Sequence, residues 1–157
     1  MDESDATDSG DNVEQELSAI VESFAADSGT VHVLQDDGLL HLAASTAGLP
    51  DAVVQTIRTI PVGKGMAGLA VERGQPVDAC NIQTDASGDV RPGAKATGLS
   101  GAIVVPLFRG DAVVGALGIG NRRERVFTAD EAQRLIEAGR RLAAHAGLGS
   151  AGGRRRA

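Results

Sequence analysis

Apolar positions along the chain change period several times, and each change marks an element. Val13, Leu17, Ile20, Val21 and Phe24 recur three and four residues apart, the spacing of one helix face. The helix they predict ends before Asp27-Ser28-Gly29. Residues 30–35 read as a strand, Asp36-Asp37-Gly38 as a hairpin turn and residues 39–45 as the return strand. Pro50 suits the first turn of a short helix over 51–57, where its missing N–H would have had no partner. The turn from Gly63 to Gly68 opens another short helix that Gly74 stops, and residues 76–82 form a short strand. Two longer strands follow at 102–108 and 112–120, joined through Arg109-Gly110-Asp111. Thr128 and Glu131 have the Thr-x-x-Glu spacing of a capping box, which starts a last helix running to Ala146.

Two features of this pattern ask for a packing partner. On the last helix Ala132, Leu135, Gly139, Leu142 and Ala146 form a narrow apolar seam. Gly139 costs about 1 kcal/mol there relative to alanine, which is reasonable where another helix packs tightly. The first helix has a matching stripe, so the two are expected to pair, and a homodimer through them is the favoured arrangement. Gly115, Gly118 and Gly120 lie inside one strand, where glycine is weakening unless something approaches the backbone closely. A packed helix is the first candidate for that approach and a ligand the second.

Charge divides the chain. Residues 1–57 contain twelve Asp and Glu and no Lys or Arg, whereas from Arg122 onward nine Arg face four acids. Residues 1–11 are expected to be a disordered acidic tail, 12–147 the folded domain and 148–157 a flexible basic tail. Arg154-Arg155-Arg156 is too short a patch to argue for nucleic acid, and the three aromatic residues supply no base-stacking platform. No apolar run approaches the roughly 20 residues needed to span a bilayer, and the polar opening is unlike a signal peptide. A cytoplasmic protein with no membrane partner and no cofactor is expected.

Candidate chemistry is sparse. Gly63-x-Gly65-x-x-Gly68 matches a dinucleotide fingerprint, but Pro61 cannot donate within a central parallel strand and the following helix is short. An anion site at that helix start remains open, with backbone N–H groups and Lys64 pointing the same way. Gly98-Leu99-Ser100-Gly101 misses the nucleophile-elbow spacing. His32 and His41 could approach across the hairpin, a weak metal pair. Cys80 is the single cysteine, so no intramolecular disulfide forms; it reads as a small buried apolar group. Residues 83–101 gather Asp85, Ser87, Asp89, Arg91, Lys95, Thr97 and Ser100 in a connection long enough to be a lid, a binding loop or a disordered segment.

Val62-Gly63-Lys64-Gly65-Met66-Ala67-Gly68, then Gly74-Gln75-Pro76, then the Val105-Pro106-Leu107 and Val113-Val114-Gly115-Ala116-Leu117 strands, then Asn121-Arg122 and Phe127-x-x-Asp130-Glu131, stand in an order and spacing that resembles the GAF family of small-molecule sensor domains. The likeness spans about residues 18–144. It implies an α+β fold, an α/β sandwich, with a central antiparallel sheet of five or six strands. The first and last helices would pack together on one face and a pocket would lie on the other, under 83–101. Carried onto this chain, that pocket involves Met66, Cys80, Ile82, Asp89, Arg91, Lys95, Thr97, Ser100, Val104 and Gly118.

The resemblance implies a stand-alone, non-catalytic sensing module for an unidentified small molecule, with output through homodimerisation or a partner signalling protein. The alternative is a degenerate domain used only for protein interaction. The family's free methionine-(R)-sulfoxide reductases are a third comparison, but their cysteines fall at Met66 or Ala67 and near Lys95. Their acidic residues fall at Ala102, Gly118 and Gly120. Cyclic-nucleotide binders have one more residue between the Phe and the Asp-Glu pair, and bilin attachment needs a cysteine later than Cys80.

Overall fold

Six antiparallel strands form one sheet in the order β3-β2-β1-β6-β5-β4. They are β1 (Ser28–Leu34), β2 (Leu39–Ser45), β3 (Thr59–Pro61), β4 (Val77–Ala79), β5 (Gly101–Arg109) and β6 (Ala112–Asn121). Helices α1 (Asp2–Ser23), α2 (Asp51–Thr56), α3 (Gly65–Arg73) and α4 (Ala129–Ala146) flank it. The computed structural model describes residues 2–46, 49–84 and 98–148, and of 2–11 the backbone only. An α+β sandwich around a central antiparallel sheet is therefore observed, with six strands among the described residues.

Alternation along the strands sorts side chains onto two faces. Val31 of β1, Ile103, Val105 and Leu107 of β5, and Leu117 and Ile119 of β6 face α1 and α4. There they meet Leu17, Ile20, Val21 and Phe24 of α1 and Leu135, Ala138 and Leu142 of α4 in the main core. The seams on both helices are thus filled within one chain. Gly139 is explained by the sheet and not by a second helix: a Cβ there would lie 2.8 Å from Leu107 Cδ2 and 3.4 Å from Leu117 Cδ2. The helical backbone of α1 also starts at Asp2, inside the segment expected to be disordered.

The opposite face carries α3. Met66 and Ala70 pack on Val77, Ala79, Ile82 and Ala102, while Val71 packs on Leu40 and Ala116. The Gly-x-Gly-x-x-Gly run makes a tight turn in front of α3, closed by Gly63 N–H donating to the Gly68 carbonyl at 2.8 Å. Gly63 has φ +91°, and a Cβ on Gly68 would collide with the Pro61 carbonyl. Pro61 ends an edge strand, where its missing donor costs no ladder bond. Gly74 caps α3 in the left-handed conformation at φ 65°.

The segment after β6 is a clasp. Asn121, only 2% exposed, donates from Nδ2 to the Ala25 carbonyl at 2.9 Å and accepts from Arg125 Nη1 at 2.8 Å. Arg125 also pairs with Glu131 at 2.9 Å and lies over the Phe127 ring at 4.4 Å. Thr128 and Glu131 make the reciprocal capping box expected of them. The Asn121-Arg122 to Phe127-x-x-Asp130-Glu131 ending thus locks the end of α1, the end of β6 and the start of α4 together.

Candidate functional site

On the α3 side of the sheet a cavity of about 440 Å³ opens between β1, β5 and β6 below and the α2–α3 region above. Its size is within the range of small-molecule sites, roughly 300–1,000 Å³. Ile57, Ile60, Met66, Ile82, Leu99 and Val104 make most of it apolar. The floor is low because β6 has glycines there. A Cβ on Gly118 would sit 3.2 Å from Val104 Cγ2 and 3.5 Å from Thr30 Oγ1, and one on Gly120 would sit 2.7 Å from Leu99 Cδ1. What approaches the β6 glycines is therefore strand and loop, not the packed helix expected. At Gly115 it is the His32 carbonyl of β1.

Polar groups enter the cavity from β1. Gly29 and Val31 face the helices, so Ser28, Thr30 and His32 share the other face, and all three line the cavity. Ser28 is 5% exposed and His32 3% exposed. The His32 Nε2 is 2.8 Å from the Ile57 carbonyl. A carbonyl only accepts, so Nε2 holds the proton and Nδ1 is left as an acceptor. Burial pushes the His32 pKa below its usual 6.5, partly opposed by that hydrogen bond, so the ring is neutral at pH 7. No hydrogen bond to the Ser28 or Thr30 hydroxyl occurs among the described residues, yet no buried side-chain polar atom there is sealed off without a partner. Both hydroxyls thus reach open space, and the cavity supplies it.

The upper wall begins with α3. Lys64, Gly65, Met66 and Ala67 line the cavity, and no side chain caps the helix. The N–H groups of Gly65, Met66 and Ala67 have no acceptor among the described residues, as is usual for an uncapped first turn. No acidic side chain is present among the described lining residues.

Of the residues expected around a ligand, Met66, Ile82, Val104 and Gly118 line this cavity. Cys80 and Ser100 do not. Cys80 is exposed, which corrects its reading as a buried apolar group; it sits beyond β4, where its carbonyl accepts from Arg125 N–H at 3.1 Å. Asp89, Arg91, Lys95 and Thr97 lie outside the described residues. His41 does not approach His32: it pairs with Val33, whose side chain is on the other face, and its ring meets Asp37 at 2.8 Å. Among the described residues no three His, Cys, Asp or Glu side chains are arranged to hold a metal.

Ser28, Thr30 and His32 escaped the sequence reading as a site. Their alternation with Gly29, Val31 and Val33 was a signal, but polar alternation usually marks a strand with one wet face. Only the position of α2 and α3 over that face turns it into a cavity wall.

Comparison with known proteins agrees with the architecture. No curated protein sequence matches the chain. The GAF domain from a phosphoenolpyruvate-protein phosphotransferase of Coxiella burnetii is similar in fold, with TM-score 0.71 and 22% identity over 87% of this chain and 80% of that one. The free methionine-R-sulfoxide reductase of Neisseria meningitidis, solved with its substrate, gives 0.70 and 23% over 87% and 76%. A type II reductase of that kind from Thermoplasma acidophilum gives 0.66 and 18% over 88% and 94%. These identities speak to fold alone. The family model for the GAF domain matches residues 7–148. With nearly the whole chain inside that match, and with helices on one face of the sheet and a cavity on the other, the protein belongs to the GAF domain family.

Proposed function

We propose that this protein is a non-catalytic sensing domain that binds a small molecule in the cavity between β1, β5, β6 and α3. The cavity itself carries the reading: about 440 Å³ of mostly apolar space with a few polar groups aimed into it is the makeup of a ligand site. A domain used only for docking would gain nothing from keeping an apolar cavity of this size between the sheet and α3.

β1 supplies a route from ligand to output. Its Ser28, Thr30 and His32 touch the cavity, while Val31 packs in the core beside α1 and α4. A ligand that shifts β1 therefore shifts the seat of both long helices. Output passes through the outward faces of those helices, to a partner chain or to a second copy. Because the apolar seams are filled within the chain, a homodimer through these helices would use exposed polar positions such as Glu14, Glu22, Arg134 and Arg141.

The reductases of similar fold make an enzyme the competing reading. Against it, the one cysteine does not line the cavity and is exposed elsewhere. The sensing role is tested by thermal unfolding of the wild type and Ala67→Leu against a panel of small metabolites. Ligand at 100 times its Kd stabilises a folded protein by about 2.7 kcal/mol. A stabilising compound for the wild type that has no effect on Ala67→Leu, whose longer side chain fills the cavity, is expected. Turnover of free methionine sulfoxide, lost in Cys80→Ser, would instead establish the enzyme.

A further inference from the structure

The cavity's polar groups are unequal in kind, and that inequality selects a ligand class, provided that the domain is the sensor proposed. Three side chains stand in a row on β1 at alternate positions. Ser28 and Thr30 are hydroxyls that can donate or accept, while the neutral His32 has only an acceptor to offer, because its one N–H is used by Ile57. Consecutive members of the row are about 7 Å apart along the strand. A ligand satisfying His32 must bring a donor.

The other wall offers the opposite. The first turn of α3 presents three unpartnered N–H groups at Gly65, Met66 and Ala67, the positive end of the helix dipole, and Lys64 at the rim. Such a helix start is common. Here it shares a cavity with a 5%-exposed Ser28 whose hydroxyl has no partner among the described residues. No carboxylate among the described lining residues is available to hold an ammonium group, and no Phe, Tyr or Trp ring is among them to cover a cation. The remaining described wall is Ile, Leu, Met, Val, Ala and Gly, with Thr56, whose hydroxyl donates to the Ala52 carbonyl.

We propose that the cavity binds a small aliphatic hydroxy acid, with its carboxylate on the α3 N-terminus beside Lys64, its chain on the apolar wall, and its hydroxyl donating to His32 Nδ1 within the Ser28–Thr30–His32 row. Among the described lining residues nothing favours an organic cation, since an ammonium would face the helix dipole with no counter-charge from them.

Amide-resolved NMR titration with four probes of one chain length tests this: hexanoate, its terminal hydroxy acid, hexanol and hexylammonium. The hydroxy acid is expected to bind about tenfold more tightly than hexanoate. It should move the amides of residues 28–32 and 65–67, and hexylammonium should move neither. In Thr30→Val and in His32→Phe the hydroxy acid's advantage over hexanoate should shrink. The first variant keeps strand shape and side-chain volume, so it reads the hydroxyl's role even where loss of His32 disturbs folding. Hexylammonium binding as well as the acids, or equal binding of hexanoate and its hydroxy acid, would overturn the assigned class while leaving the cavity a binding site. No probe moving the cavity amides would overturn this class and the sensing role together.

Discussion

At the scale of single residues, the same polar types serve two unrelated ends. Asn121 is nearly sealed, and both of its amide atoms are used structurally. Asn121→Ala would remove two hydrogen bonds, one to the Ala25 carbonyl and one from Arg125 Nη1, and at about 0.5–1.5 kcal/mol each they are together worth about 1–3 kcal/mol. Urea unfolding should report a loss of that order, with the cavity intact. His32 is buried too, but its role shows in pH. Its folded pKa lies below the unfolded value near 6.5, so the unfolded chain takes up the proton first. Stability is therefore full above about pH 6.5 and falls as pH drops from there toward the lowered folded pKa. Subtracting the pH–stability profile of His32→Gln from that of the wild type isolates this slope from the other histidines. A difference that is flat across about pH 5–7 would contradict the assignment. Neither role was legible in the sequence, because both depend on which backbone carbonyl a side chain reaches across 25 residues for His32 and 96 for Asn121.

At the scale of elements, most of the fold was legible. The 3.6-residue period gave α4 with its cap, and the Asp36-Asp37-Gly38 turn gave the β1–β2 hairpin, because these signals are local. Thr128→Ala should cost about 1 kcal/mol by removing the acceptor of the Glu131 N–H at 3.0 Å, a loss that calorimetry would show as a lower Tm. What failed was non-local. β3 has three residues and ends on a proline, so nothing but its pairing with β2 identifies it. α1 and α4 do share a core as expected, but Gly139 was assigned to a helix partner because spacing alone does not distinguish a helix from the Leu107–Leu117 surface of a sheet. For the candidate site, Met66, Ile82, Val104 and Gly118 could be placed through family likeness. The β1 row could not, since a strand's polar face becomes a cavity wall only when distant elements roof it.

At the scale of the whole molecule, one sheet separates two different interiors. The α1–α4 side is filled by Leu, Ile, Val and Phe side chains down to full burial at Leu17, Leu117, Leu135 and Leu142. The α3 side keeps a cavity of about 440 Å³, with Gly118 and Gly120 among its lining. Filling that space should be tolerated: Gly118 has no positive φ, and valine favours a strand. Gly118→Val is expected to fold at a cost of about 1–3 kcal/mol, the offset arising from the 3.2 Å approach to Val104. That variant makes the central claim testable directly. Native mass spectrometry of the wild type and Gly118→Val, each equilibrated with the same small-molecule cell extract, asks whether the cavity is a binding site. The account predicts a discrete added mass on the wild type that is missing from Gly118→Val. The same added mass on both proteins, or none on either, would contradict it.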